Sequence, residues 1–183
     1  MSTFLPPDYQ APKADSKYLR INDGDNIRLR ILSAPLIFWQ YWTNDKKPVR
    51  HLFVPGDVIP PPPKNVGEDK VAKFVWALKI FNYASNSVEI WEISQKGIQT
   101  KLTDWNKDTD FGDPTTYDIK VARKGKDKGT TTYSVDALMK KENMTPMLDD
   151  ILAEAKKIDL NALLTGDDPF KWPTNEEEFD PLA

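Results

Sequence analysis

From Ile27 the chain alternates, with Ile27, Leu29 and Ile31 separated by Arg28 and Arg30. Strand side chains point to opposite faces with a period of two, so this segment predicts a strand with aliphatics on one side and two guanidiniums on the other. Next come Ile37-Phe38-Trp39-Gln40-Tyr41-Trp42, the turn formers Asn44-Asp45-Lys46-Lys47-Pro48, and Val49 to Val54, which together predict a hairpin. Lys73 to Tyr83 and Val88 to Ile93 predict a second hairpin around the polar stretch Asn82 to Ser87. Tyr117 to Arg123 and Thr130 to Val135 predict a third, turning through Lys124 to Gly129. Helical spacing occurs twice. Ile98, Leu102 and Trp105 form one apolar stripe on a helix of about three turns. Thr145 as N-cap and Pro146 at the first helical position predict a short second helix, with Leu148, Ile151, Leu152 and Ala155 on its apolar face. Asp159 to Leu164 predict one further turn.

Breaks in the pattern divide the chain. Residues 1–16 carry three prolines among polar neighbours and read as a flexible leader. Residues 55–70 contain Pro60-Pro61-Pro62-Pro63, which cannot join a ladder without N–H donors, and read as a long exposed loop. Residues 17–164 form the expected single domain, and 165–183 an acidic, disordered tail. The fold expected is mainly β: a five-stranded OB-fold Greek-key barrel with one inserted helix and a short C-terminal helix. A generic β-sandwich satisfies the same periodicity.

Composition narrows the functional classes. There is no cysteine, so thiolate metal sites, disulfides and a cysteine nucleophile are excluded, and a reducing cytoplasm fits best. No apolar run is long enough for a membrane span, and residues 1–17 lack the order of a signal peptide. A net charge of −3 argues at first against a polyanionic partner. Its distribution reverses that argument: six acids against Lys171 give residues 167–183 five net negative charges, leaving the rest at +2. A mildly basic body and an acidic tail imply two surfaces with different partners.

Aromatic residues make up 11% of the chain and in the β region interleave with Lys and Arg. Bases stack on rings whatever their identity, and cations follow phosphates, so this mixture suits an unpaired nucleic-acid strand. One cluster holds Trp39, Tyr41, Trp42 and Phe53 with Lys46, Lys47, Arg50 and His51. A second places Lys73, Lys79, Phe81 and Tyr83 on one face of a strand, assigning Phe74, Trp76, Leu78 and Ile80 to the core. The third spans a hairpin tip: Lys120, Arg123, Lys124, Lys126, Lys128 and Tyr133. Each has a plainer reading, as core rings or as solvated charge.

Catalytic chemistry has few candidates. His51 is the sole histidine, and no Gly-rich phosphate loop is present. Asp104, Asp108, Asp110 and Asp113 lack calcium-loop spacing and read better as helix-end and turn residues. Neither an enzyme, a metal nor a cofactor is expected.

Two patches carry a family resemblance. One is Lys73-Phe74-Val75-Trp76-Ala77-Leu78 with Trp91-Glu92-Ile93-Ser94-Gln95-Lys96-Gly97-Ile98; the other is Gly112-Asp113-Pro114-Thr115-Thr116-Tyr117-Asp118-Ile119-Lys120-Val121 with Thr132-Tyr133-Ser134-Val135. Over about residues 18–135 the chain resembles the single-stranded DNA-binding proteins of tailed bacteriophages, which share the OB fold and the role of the phage T4 helix-destabilising protein. The resemblance implies sequence-tolerant binding of single-stranded DNA in replication, recombination or repair, in a host bacterial cytoplasm. The T4 protein's cysteine-held zinc is not carried over. Asp167, Asp168, Phe170, Trp172, Glu176, Glu177, Glu178, Phe179 and Asp180 form a tail similar in character to those that recruit other replication proteins, and able to compete for the DNA site. Self-association is compatible with this picture. The alternative class is a β-rich interaction or virion protein whose aromatic surface meets another protein.

Overall fold

The structure, a computed structural model, describes residues 17–66 and 71–171. Seven strands form one antiparallel sheet: β1 (Asn26–Ile31), β2 (Leu36–Trp42), β3 (Pro48–Leu52), β4 (Lys73–Asn82), β5 (Ser87–Ile93), β6 (Asp118–Lys124) and β7 (Thr132–Leu138). Helices α1 (Lys96–Lys107), α2 (Asp149–Lys156) and α3 (Ala162–Thr165) complete the fold, with a 3-10 turn at Lys141–Asn143. All three predicted hairpins and the first helix are present.

The sheet is organised around β4. One edge pairs with β5 from Trp76 to Asn82. The other pairs with β2 over Lys73 to Ala77 and with β1 over Ile80 to Asn82. β1 and β2 are therefore successive halves of one neighbour, interrupted at residues 32–35 where Pro35 has no N–H to donate. β1 continues the sheet to β6, and β6 to β7. The expectation of five strands is exceeded by two, because the β2–β3 hairpin extends the sheet beyond the path β5-β4-β1-β6-β7. Among the described residues β5 and β7 do not pair; α1 packs against both.

Both faces of β4 are covered, which explains its nearly unbroken apolar sequence. On one side Leu78 and Ile80 meet Leu29, Ile31, Ile93 and Ile119, roofed by Ile98, Leu102 and Trp105 of α1. On the other, Val75, Ala77 and Phe81 meet Phe38, Val88 and Ile90 under Ala155, Ile158, Leu160 and Leu163. Each Leu, Ile, Val or Phe among them stabilises the fold by roughly 1.5–3 kcal/mol on burial.

Two boundaries differ from expectation. The second helix begins at Asp149, with Leu148 as N-cap. Thr145 is occupied elsewhere: its carbonyl accepts from Arg30 and its hydroxyl donates to the Glu142 carbonyl, while Asp149 and Asp150 supply the negative charge that a first turn favours. The Pro-rich segment through residue 66 is mostly exposed and is held by two ties: Tyr41 donates to the Pro60 carbonyl (2.7 Å) and Val66 bridges Thr43. Finally, residues 165–171, expected to open the tail, belong to the folded body. The Asp167 amide donates to Ala162, the Pro169 carbonyl accepts from Asp159, and Phe170 packs edge-on against Tyr18 at 5.6 Å. Tyr18 itself bridges Ile90 of β5. Among the described residues no helix is long and apolar enough to cross a membrane.

Candidate nucleic-acid interface

Alternation along β2, β3 and β4 creates an aromatic bay. Trp39 is paired with His51 of β3 and Phe74 of β4, so its ring shares their face. The Trp39 and Phe74 centroids lie 4.8 Å apart, and Phe53, just past β3, meets Phe74 edge-on at 5.2 Å. Trp76 extends the floor, and Lys73 and Lys96 stand at the rim of a depression of about 740 Å3. The first turn of α1 forms the opposite wall. It is held there by Gln99, whose amide donates to the carbonyls of Phe74 (3.2 Å) and Ile93 (2.8 Å).

A second, basic bay lies beside the same helical turn. Arg123, Lys126 and Lys128 line it with Tyr133, Gln95 and Gly97. Arg123 is positioned by donating to the Ile21 carbonyl (2.8 Å), and its guanidinium sits 5.8 Å from the Tyr133 ring centre. The loop carrying both lysines is set by Gly125, at φ +103°, whose missing Cβ lets the Thr130 carbonyl approach. Residues of one helical start serve both bays: Ser94, Lys96, Gln99 and Thr100 face the aromatic one, Gln95, Gly97 and Ile98 the basic one. That start has no acidic residue in its first turn and no side-chain cap, so its positive dipole end is not neutralised locally.

Of the residues singled out from sequence, Trp39, Phe53 and Lys73 meet in the aromatic bay, and Arg123, Lys126, Lys128 and Tyr133 in the basic one. In the strip Lys79, Phe81 and Tyr83, Tyr83 is exposed but Phe81 is not, so the three form no continuous open surface. Phe81 is buried beneath the C-terminal helices' core, and burial pulls the Lys79 ammonium below its ordinary pKa, partly offset by Asp159. Tyr83 donates to Asp118 (2.9 Å) and lies under the Arg28 guanidinium at 4.5 Å; burial, then Asp118, pushes its hydroxyl up.

Asp118 is the centre of a buried network that the sequence did not reveal. Both Arg28 and Arg30 donate to its carboxylate, Arg30 at 2.7 Å. Arg30 also donates to the carbonyls of Asn143 (2.6 Å) and Thr145 (3.0 Å), fastening the C-terminal segment to the sheet. The Asp118 bond is the largest cause of the raised Arg28 pKa. These arginines are structural ties.

Arg50 also turns away from the bay. It donates to Gln40, the Leu163 carbonyl and Glu92 (2.9 Å), and lies over Phe38. Glu92 is pushed up by burial, with Arg50 opposing. Trp42 is exposed but alternation puts it on the face of Phe38, opposite Trp39, while Tyr41 is buried. Lys46 and Lys47 are exposed in the β2–β3 turn. Lys120 and Lys124 are exposed on the face of β6 opposite Arg123. Asp167 and Asp168 are exposed at the body's end, whereas Trp172, Glu176, Glu177, Glu178, Phe179 and Asp180 lie outside the described residues.

Phe74, Trp76 and Lys96 were missed as site residues. Phe74 and Trp76 look like core because they alternate with Leu78 and Ile80, and only the registers of β2 and α1's position leave that end of the strand open. Lys96 had one available signal, its place beside Gly97 at a helix start. Among the described residues no three His, Asp or Glu side chains converge as a metal set. No protein-family model matches the chain, and no curated protein or solved structure shows significant similarity to it.

Proposed function

We propose that this chain binds single-stranded DNA with little regard to sequence and without acting on it chemically, in replication, recombination or repair of a phage type. The observation that carries the reading is the pairing of two bays about the first turn of α1: rings of Trp39, Phe53 and Phe74 on one side, Arg123, Lys126 and Lys128 on the other. An unpaired strand has phosphates to neutralise and free base faces to stack, whereas a duplex offers its phosphates but keeps its bases paired and stacked inside. An OB-type architecture is part of the proposal. It is supported by the path β5-β4-β1-β6-β7 with a helix between β5 and β6, the β2–β3 hairpin being an elaboration of the first strand. A bacterial cytoplasm and recruitment of replication proteins by the acidic tail belong to the same proposal.

The test is titration of the full chain with oligo-dT at low salt, following tryptophan emission and oligonucleotide anisotropy. Quenching with a clear preference for single strands over duplex is expected; no change in either signal overturns the proposal. One observation favours a protein partner instead: Leu52, Val54, Val58 and Ile59 are exposed around the end of edge strand β3. Salt-tolerant binding to protein with no affinity for oligo-dT would support that reading.

A further inference from the structure

Beside the aromatic bay lies a more enclosed cavity of about 340 Å3. Trp76 and Thr103 belong to both, so the two are continuous along one wall. Leu78, Leu102, Pro35 and Pro114 make it largely apolar. Its size is that of a small-ligand site, which runs from about 300 Å3 upward.

Its polar groups narrow the class of occupant. No Lys or Arg lines the cavity and Asp113 does, so a phosphate is repelled and the base is the part of a nucleotide that fits. Asn106, exposed on the last turn of α1, makes no side-chain hydrogen bond to other described residues. One oxygen of the exposed Asp113 accepts from the Thr115 amide (2.9 Å), and the other has no partner among the described residues.

We propose that this cavity receives one unstacked base of a bound strand, and that Asp113 selects a base with an exocyclic amine, cytosine over thymine. The proposal rests on the single-strand reading above. Bases turned out of a stack are read at their edges; a carboxylate accepts from cytosine N4, where thymine presents an oxygen that repels it. Binding stays sequence-tolerant overall because the aromatic bay stacks any base, with selection confined to this position.

The experiment compares affinities of the full chain for oligo-dC and oligo-dT of equal length at neutral pH, in wild type, Asp113→Asn and Ala34→Trp. Asparagine can still accept from the Thr115 amide but presents a donor where the free oxygen was. Tryptophan at Ala34, an exposed lining residue, fills the cavity from its rim. Wild type is expected to prefer oligo-dC, and either variant to lower the dC-to-dT affinity ratio about fivefold or more, with oligo-dT binding and thermal melts retained. An unchanged ratio in both variants, with oligo-dT still bound, overturns the base pocket and leaves the single-strand reading intact. Failure of wild type to bind either oligonucleotide removes both.

Discussion

Two tryptophans three residues apart carry opposite expectations. Trp39 lies in the aromatic bay and Trp42 on the reverse face of the same strand, although both are large rings in one hairpin. Trp39→Ala is expected to weaken oligo-dT binding by about 1–3 kcal/mol, the value of one stacked base; Trp42→Ala is expected to leave it unchanged. Fluorescence-anisotropy titration of both variants checks the pair. Asp118 governs stability instead. Asp118→Asn leaves Arg30, only 3% exposed, without its counter-charge, and about 3–5 kcal/mol of unfolding free energy should be lost in denaturant melts. The sequence showed that rings and cations interleave, yet period two alone could not say which face stays open. Phe81 is core for that reason, covered by residues some 70 positions later, whereas Trp76, half-buried against the core, also reaches the floor of the aromatic bay.

At the scale of elements, the β6–β7 hairpin presents the basic bay and depends on Gly125. Any Cβ there collides with the Thr130 carbonyl at a φ that side chains avoid. Gly125→Ala should cost more than the roughly 1 kcal/mol of an ordinary glycine replacement and weaken DNA binding at low salt, both measurable on one preparation. The C-terminal segment is held across the sheet by Arg50, which reaches Glu92 and the Leu163 carbonyl. Glu92 titrates above its usual 4.5 because burial disfavours its charge. The folded state therefore holds this proton more tightly than the unfolded chain, so the contribution is greatest below pH 4.5 and is lost as pH rises through the raised value. The stability difference between wild type and Glu92→Gln should drift against wild type over that window in pH-series melts. Hairpins and α1 were legible because their periodicity is local. The start of α2 was not, because Arg30, more than a hundred residues earlier, claims the Thr145 carbonyl, which as an N-cap would have accepted the first intrahelical bond.

For the whole molecule, net charge misleads and its placement informs. The chain totals −3, yet Arg123, Lys126 and Lys128 share one bay. Each phosphate contact on a single strand contributes about 0.7 to the slope of log affinity against log salt. Replacing Lys126 and Lys128 together with alanine should flatten that slope by about 1.4, as read from titrations at several salt concentrations. The β-rich class was legible from strand spacing. The extent of the sheet was not, since how β1 and β2 share one edge of β4 depends on pairing between distant segments.

Lys17 and Tyr18 close on Phe170, on the side of the sheet opposite Trp39. Whatever is joined to either end of this body consequently starts from a single corner at the back of the molecule. On the proposed reading, a partner captured at that corner and an oligonucleotide lying across the front would meet different sides of the sheet.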